Sequence, residues 1–387
     1  MLQGKKILIV SHYDGASDFA IESYIYASAR AMLSDGARLC LAYTGYIFDV
    51  ESCKSLFDDI FKIEEIPNTQ FDLVIIHKIL SMKILRKLLL RYSTKAVLFI
   101  HDHEYYCPRQ WKYFPISHTP CHLNYNFLRC ALCGMVKRFS SWKTGIIGEL
   151  GEKFIDFQDR LDLLRRFPHI AVISQTMRDT LLCNNFSLET LHVIQPYIIQ
   201  PDTPPKHQNS DAPLIIFAGD LLFPNGCDIF INTIAQLKHN FRAKVIGDGK
   251  QLKKLRRLAE AKGISSKVQF CGKLTHAEYT KTLLEADILL YPTRWLVPFP
   301  MPVVEAAANA TPCVAFNCGS ISETILNDVT GILVKPNDMA EFLNATEKLL
   351  DDFELRRTLG DNAQRFVSGR FNAEQYIKGI DRIIAFS

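Results

Sequence analysis

The stretch Tyr291–Glu323 reads YPTRWLVPFPMPVVEAAANATPCVAFNCGSISE. A short apolar run, Ile288–Pro292, leads into it and reads as a buried strand. A loop carrying Trp295, Pro298 and Phe299 follows. A helix then opens near Met301–Pro302, because proline suits the first turn of a helix. Glu305 is expected in that first turn, where the macrodipole favours a carboxylate or a bound phosphate. A second strand, Cys313–Asn317, ends in Gly319-Ser320, which turns into a further helix bearing Glu323. Two helix N-termini thus face one crevice, a geometry that suits a pyrophosphate with a carboxylate nearby for sugar hydroxyls.

Working outward, the same alternation of short apolar runs and helical patterns fills the chain. In the second half, Pro213–Asp220, Ala243–Asp248, Val268–Lys273 and Gly331–Lys335 read as further strands, with helices at Gly249–Lys262 and His276–Ala286. In the first half, Lys5–Val10, Arg38–Tyr43, Phe71–His77, Ala96–Asp102, Ile170–Ser174 and Leu191–Gln195 read as strands. A helix is expected from Ala20 to Ser34 and a basic amphipathic one over Lys78–Arg91. Such alternation predicts βαβ units around parallel sheets. The proline-rich, polar stretch Gln195–Pro213 reads as a linker. The expected organisation is therefore a first Rossmann-like lobe over residues 1–200, with a Cys-rich insertion at 103–142, and a second over 201–370. A last helix, 371–387, is expected to cross back to the first lobe. Ligands of open α/β sheets bind beyond the carboxyl ends of strands, so a cleft between the lobes is the expected site.

Composition sets the outer bounds. The chain has 387 residues, 48% hydrophobic and 22% charged, which excludes wholesale disorder. A net charge of +4 is too small to imply nucleic acid. No apolar run reaches the roughly 18–20 residues of a membrane span, and Ile7–Val10 is too short for a signal peptide. The 11 cysteines, an odd number in a long chain, point to a reducing cytoplasm with mostly free thiols.

The pattern resembles the donor site of family-four retaining glycosyltransferases, which have the GT-B fold of two Rossmann-like parallel-sheet lobes facing across a cleft. The matching residues are Pro298-Phe299, Glu305-Ala306, Thr311-Pro312-Cys313-Val314 and Gly319…Glu323. Ile246-Gly247-Asp248-Gly249, Glu285-Ala286-Asp287, Gly331–Val334 and, in the first lobe, His101-Asp102 also fit the family's order. The resemblance implies transfer of a sugar from a nucleotide-sugar donor to a hydroxyl acceptor, a glycan or lipid-linked glycan, with retention and without a catalytic metal. It implies that Glu305 holds the nucleotide ribose and that His101 lies beside the reacting carbon. It further implies that backbone amides near Pro300–Val303 (Pro300, Met301 and Val303) and Gly319–Ile321 (Gly319 and Ser320) hold the diphosphate or donor sugar, with Glu323 as a further donor contact. Gly15, in Asp14-Gly15-Ala16-Ser17, stands where the family has a glycine-rich donor loop.

Three departures stand out. The family's sugar-contacting glutamate aligns with Val297, and its diphosphate-binding arginine and lysine align with Asp220 and Asn225. Each lost charge-assisted contact is worth roughly 1.5–3 kcal/mol. Arg294 and Lys273 are candidates to restore that charge, Arg294 first, its plain alternative being a solvent-exposed loop arginine. The departures also motivate a second reading: a non-catalytic sugar-nucleotide-binding or partner subunit.

Other residues carry two readings each. Glu305 is also a dipole-stabilising carboxylate. Glu323 is also the capping-box partner of Ser320. The basic stretch Lys78, Lys83, Arg86, Lys87, Arg91 and Lys95 is an ordinary surface helix or, with Lys137, Arg138, Trp142 and Lys143, a docking face for an anionic membrane, which would make the protein peripheral on the inner membrane face. Cys107, Cys121, Cys130 and Cys133 crowd one insertion, with metal-ligand spacing at Cys130-x-x-Cys133. A structural zinc, free buried thiols and disulfides are all compatible with that spacing. The insertion follows His101, so it is expected to belong to the first lobe and to shape acceptor recognition.

Overall fold

The computed structural model describes residues 1–13, 19–45, 55–139, 157–199, 201 and 209–386. The chain divides into two compact α/β units. The first comprises Met1–Gln110, Leu123–Tyr197 and Phe371–Ser387, the second Trp111–His122 and Ile198–Arg370. The last helix is thus part of the first unit, and a short piece of the insertion is part of the second.

The first unit is built on seven parallel strands: β1 (Lys6–Tyr13), β2 (Arg38–Gly45), β3 (Asp59–Lys62), β4 (Leu73–His77), β5 (Ala96–Ile100), β6 (His169–Val172) and β7 (Leu191–Val193). Their order is β3-β2-β1-β4-β5-β6-β7. Ile9 of β1 pairs with Leu41 on one side and Ile75 on the other. Strands flanked on both sides and on both faces must be continuously apolar, and Ile7–Val10, Leu73–Ile76 and Val97–Ile100 are fully buried. β3 was not expected, because Asp59 and Lys62 give it the polarity of an edge.

Helices α1 (Phe19–Ser34), α2 (Met82–Tyr92), α3 (Phe127–Phe139) and α4 (Gln175–Leu182) also belong to this unit. The Ser174 hydroxyl caps α4 by accepting from the Met177 amide at 3.2 Å. α2 buries Leu85, Leu88 and Tyr92. Half of the expected basic face is engaged internally. Lys78 pairs with Asp102 and Glu104, Arg91 donates to the carbonyls of Ile66 and Pro67, and Lys95 donates to that of Phe71. Among the described residues no helix is long and apolar enough to cross a membrane.

The second unit repeats the plan with β8 (Leu214–Ala218), β9 (Arg242–Ile246), β10 (Val268–Gly272), β11 (Ile288–Tyr291), β12 (Cys313–Phe316) and β13 (Gly331–Val334). The order β10-β9-β8-β11-β12-β13 is that of the first six strands of the other sheet. Its helices are α5 (Cys227–Ile234), α6 (Leu252–Ala261), α7 (His276–Glu285), α8 (Met301–Ala308), α9 (Met339–Asp351) and α10 (Phe353–Arg370). The last helix of the chain, α11 (Ala373–Phe386), packs in the first unit. There a Cβ at Gly379 would lie only 3.2 Å from the Ile194 side chain.

Candidate functional site

In each sheet the strand order reverses beside the first strand, at β1/β4 and at β8/β11. Such switch points leave a crevice at the carboxyl ends of the strands, because the connections there depart to opposite faces. In the second unit the loops after β8 and β11 are bonded to one another. The Arg294 amide donates to the Pro224 carbonyl at 2.8 Å, and the Thr293 hydroxyl to the same oxygen at 3.3 Å. The Trp295 indole N–H donates to Asn225 Oδ1 at 3.0 Å. Gly226, at φ 79°, is needed here: a Cβ would fall 1.9 Å from the Pro292 carbonyl oxygen.

Arg294 is buried. Its guanidinium meets the Asp228 carboxylate through two nitrogens at 2.7 Å each, donates to the Phe223 carbonyl at 2.8 Å and lies 4.3 Å from the Phe223 ring centroid. A bidentate pair of this kind fixes geometry as well as charge. The expected role as a replacement cation therefore needs correction. Arg294's charge is matched by Asp228, and its bonds hold the loop after β11 to the loop after β8. Lys273 stands exposed just after β10.

Glu305 projects from the second turn of α8 (Met301–Ala308), not from the expected first turn, so the dipole-stabilising reading does not hold; its Oε2 accepts from the Tyr279 hydroxyl of α7 at 3.0 Å. Burial pushes the Glu305 carboxyl up to about 7, partly offset by the tyrosine's hydrogen bond. Burial and the neighbouring carboxylate push the Tyr279 phenol well above its ordinary range.

The start of α8 differs from expectation. Pro300 and Pro302 have no N–H, the Met301 amide donates to the Phe299 carbonyl at 3.1 Å, and the Val303 amide to that of Pro300 at 2.9 Å. Those amides are committed within the turn, so they do not present the expected row of donors to a diphosphate. Gly319–Glu323 is a five-residue 3₁₀ turn rather than a full helix start. The Ser320 amide donates to the Val297 carbonyl at 3.0 Å, while the Ser320 hydroxyl is fully buried with no hydrogen-bond partner among the described residues. That hydroxyl does not cap, so the capping-box reading of Ser320 and Glu323 fails. The Glu323 carbonyl accepts from Arg370 at 3.0 Å. Val297 is packed in the hydrophobic core.

His101 follows β5 in the first unit, where its Nε2 lies 2.8 Å from Nδ1 of His77, the last residue of β4. Burial, reinforced by the Lys78 charge, lowers His101 to about 3, and burial drives His77 well below its ordinary value. Both imidazoles are thus neutral at pH 7. Gly15 and the surrounding donor-loop expectation lie outside the described residues, as do Trp142 and Lys143.

The zinc expectation is not supported. Among the described residues no three His, Cys, Asp or Glu side chains are arranged to hold a metal ion. Cys107, Cys130 and Cys133 fall in the first unit, whereas Cys121 falls in the second. The Cys133 sulfur sits 3.5 Å from the Arg109 guanidinium.

Three partners escaped the sequence reading: Tyr279, Asp228 and His77. Only His77 had a visible signal. Both LVIIH and VLFIH end an apolar run on histidine, in strands that the alternation makes neighbours.

Residues 200–366 match the family described as Glycosyl transferases group 1. An uncharacterized glycosyltransferase of Methanocaldococcus jannaschii is 29% identical over 168 residues, covering 43% of this chain and 46% of the relative. The alpha-D-kanosaminyltransferase of Streptomyces kanamyceticus is 26% identical over 180 residues, covering 45% of this chain and 46% of that enzyme. The chain therefore spans about half the length of the curated relatives it matches. Among solved structures, Anabaena HepE in complex with UDP superposes with a TM-score of 0.71 at 16% identity, over 98% of this chain and 99% of that one. Sucrose-phosphate synthase from Thermosynechococcus elongatus gives 0.69 at 17% identity, over 99% and 100%. These likenesses show the fold, which is GT-B: two Rossmann-like units with all-parallel sheets.

Proposed function

We propose that this chain, whose residues 200–366 carry the group 1 glycosyl transferase match, transfers a sugar from a nucleotide-sugar donor to a hydroxyl of a glycan or lipid-linked glycan, with retention of configuration. The observation that carries the reading is Glu305. It is a half-buried carboxyl on α8, the helix that follows β11 of the β8/β11 switch point, held by Tyr279 and able to accept hydrogen bonds from two neighbouring hydroxyls. Ribose supplies such a pair.

In the transfer, the bond from the anomeric carbon to the diphosphate breaks and the acceptor oxygen takes its place. Negative charge grows on the departing diphosphate, and its stabilisation is commonly the largest catalytic contribution. With Asp220 and Asn225 at the positions of the family's two cations, Lys273 is assigned that charge. Arg294 is assigned the task of fixing the loop through Asp228. By the family resemblance, Gly319 is assigned to the donor-sugar side with Ser320 and Glu323 next to it; the Ser320 amide, bonded to the Val297 carbonyl, fixes the turn. His101 is assigned a neutral hydrogen-bonding role in the first unit. By the family resemblance, the reaction uses no metal ion. UDP is the first nucleotide to try, since HepE was solved with it.

The test is incubation with UDP-, GDP- and ADP-sugars and a panel of glycan and lipid-linked acceptors, following nucleoside-diphosphate release. Acceptor-dependent release that is lost in Glu305→Ala supports the assignment. Binding without turnover on any acceptor points to the non-catalytic partner reading. No binding at all removes both.

A further inference from the structure

The chain leaves the first unit after Gln110 and returns to it at Leu123. The intervening residues form a compact hairpin. Tyr113 bridges Pro120, the Phe114 amide donates to the Thr119 carbonyl, and the Cys121 amide to that of Lys112, both at 2.8 Å. Its contacts with the rest of the second unit include three loops. The Trp111 and Trp295 rings meet edge to face, 4.7 Å between centroids at 69°. His118 meets Phe223 the same way at 4.7 Å and 64°. The Leu296 amide donates to the Lys112 carbonyl at 3.3 Å, and Asn337 Nδ2 donates to the His118 carbonyl at 3.3 Å.

Phe223, Trp295-Leu296 and Asn337 follow β8, β11 and β13 respectively. All three strands are parallel, so all three loops leave from the carboxyl edge of the sheet. That edge is where open α/β sheets take their ligands. Residues 111–122 of the insertion therefore do not lie where their place in the sequence suggested. Its tip is built into the ligand edge of the second unit, on the loop that runs on into α8 and Glu305. The Trp295 indole is held from two directions, by Trp111 against its ring and by Asn225 on its N–H. Asn225 is itself fixed, its Nδ2 donating to the Asp220 carbonyl at 2.9 Å, so its side chain anchors Trp295 to the loop after β8.

We propose that the Trp111–His122 hairpin is a specificity element of the donor site, with Trp111 and Asn225 positioning residues for Trp295, whose half-buried indole packs on the bound nucleotide sugar. This rests on the nucleotide-sugar reading above. Trp111 and Asn225 act through Trp295, and Trp295 touches the ligand. Loss of one edge-to-face aromatic contact predicts about three- to tenfold weaker donor binding.

The chain has 3 tryptophans, Trp111, Trp142 and Trp295, so Trp142→Phe leaves only the contacting pair Trp111 and Trp295 as indole reporters. Calorimetry with UDP-, GDP- and ADP-sugars first identifies a binding donor. The expected result is a fluorescence change on adding that donor to Trp142→Phe. Trp111→Ala and Asn225→Ala each weaken the donor three- to tenfold through Kd and KM with kcat within about twofold, and Trp111→Phe stays within twofold of the parent. Should Trp111→Ala fail to fold, the fluorescence titration and Asn225→Ala decide. Donor binding by calorimetry, with unchanged tryptophan emission and parental affinity in Asn225→Ala, overturns the inference and leaves the transferase reading intact. Absence of calorimetric binding by every nucleotide sugar overturns both.

Discussion

Nδ1 of His77 and Nε2 of His101 lie 2.8 Å apart at the carboxyl ends of the adjacent strands β4 and β5. One N–H serves both rings, so the tautomer of one fixes that of the other. The pair is enclosed by Tyr24 from α1 and by Phe99, with Lys78 the nearby cation and Asp102 next to His101 in the chain.

Both imidazoles resist protonation in the folded chain, His101 down to about 3, whereas an unfolded chain takes these protons near the ordinary 6.5. Below that value the unfolded state binds more protons, so stability falls as pH falls, by up to about 1.4 kcal/mol per pH unit for each histidine. Urea denaturation between pH 4 and 7 is expected to show that slope, and His77→Phe is expected to reduce it. An unchanged slope in His77→Phe would show that His77 takes its proton in the folded state.

Glu305 gives the opposite sign. Its carboxyl stays protonated to about 7 in the folded chain, against an ordinary value of 4.5. Between those values the folded state holds the extra proton, so this group's contribution to stability is full below 4.5 and fades as pH rises through 7. Glu305→Gln is expected to be less sensitive to pH between 5 and 8 than the parent in thermal melts. Donor affinity is expected to rise through pH 7 in the parent, because a carboxylate accepts two hydroxyl hydrogen bonds better than a carboxylic acid does. Calorimetric titrations at pH 6 and 8 measure this, and a flat profile equal to that of Glu305→Gln would contradict it.

The sheets were legible in the sequence because central parallel strands, buried on both faces, must be unbroken apolar runs. β3 was not, since an edge strand needs no such run. Glu305, Arg294 and His101 were legible as residues following strands or opening helices. Their partners were not, because the fold brings them in from 26, 66 and 24 residues away, as Tyr279, Asp228 and His77. A charge looks available in a sequence until its counter-ion is located, which is why Arg294 read as a replacement cation. The hairpin is the same case at larger scale: chain order assigns residues 111–122 to the first unit, and packing assigns them to the second.

Arg294 and Asp228 form a pair whose separation leaves one buried charge unmatched. Arg294→Met alone is expected to destabilise by about 3 kcal/mol. Arg294→Met with Asp228→Leu is expected to lose clearly less than the sum of the two single changes. Arg294→Lys is expected to recover little, because an ammonium lacks the planar fork that meets both carboxylate oxygens. Urea melts of the parent, the two single variants and the double variant close the cycle, and simple additivity would show that the two side chains do not interact.

Gly319 and Gly263 share a backbone conformation, with φ of 69° and 70°, yet differ in surroundings. A Cβ at Gly263 meets nothing within 4 Å, so Gly263→Ala is expected to cost only the left-handed strain, about 1 kcal/mol. A Cβ at Gly319 would lie 2.4 Å from both the amide nitrogen and the carbonyl oxygen of Val297. Backbone, not a flexible side chain, stands in the way, so Gly319→Ala must displace the loop that joins β11 to α8. The loss there is expected to exceed that at Gly263 by at least about 2 kcal/mol in urea melts. Donor binding is expected to weaken in Gly319→Ala even at temperatures where the protein remains folded, because the displaced loop carries Trp295 and leads to Glu305. Equal losses for the two glycines would mean that strain alone sets the requirement at 319, and that the loop does not depend on its close approach to Val297.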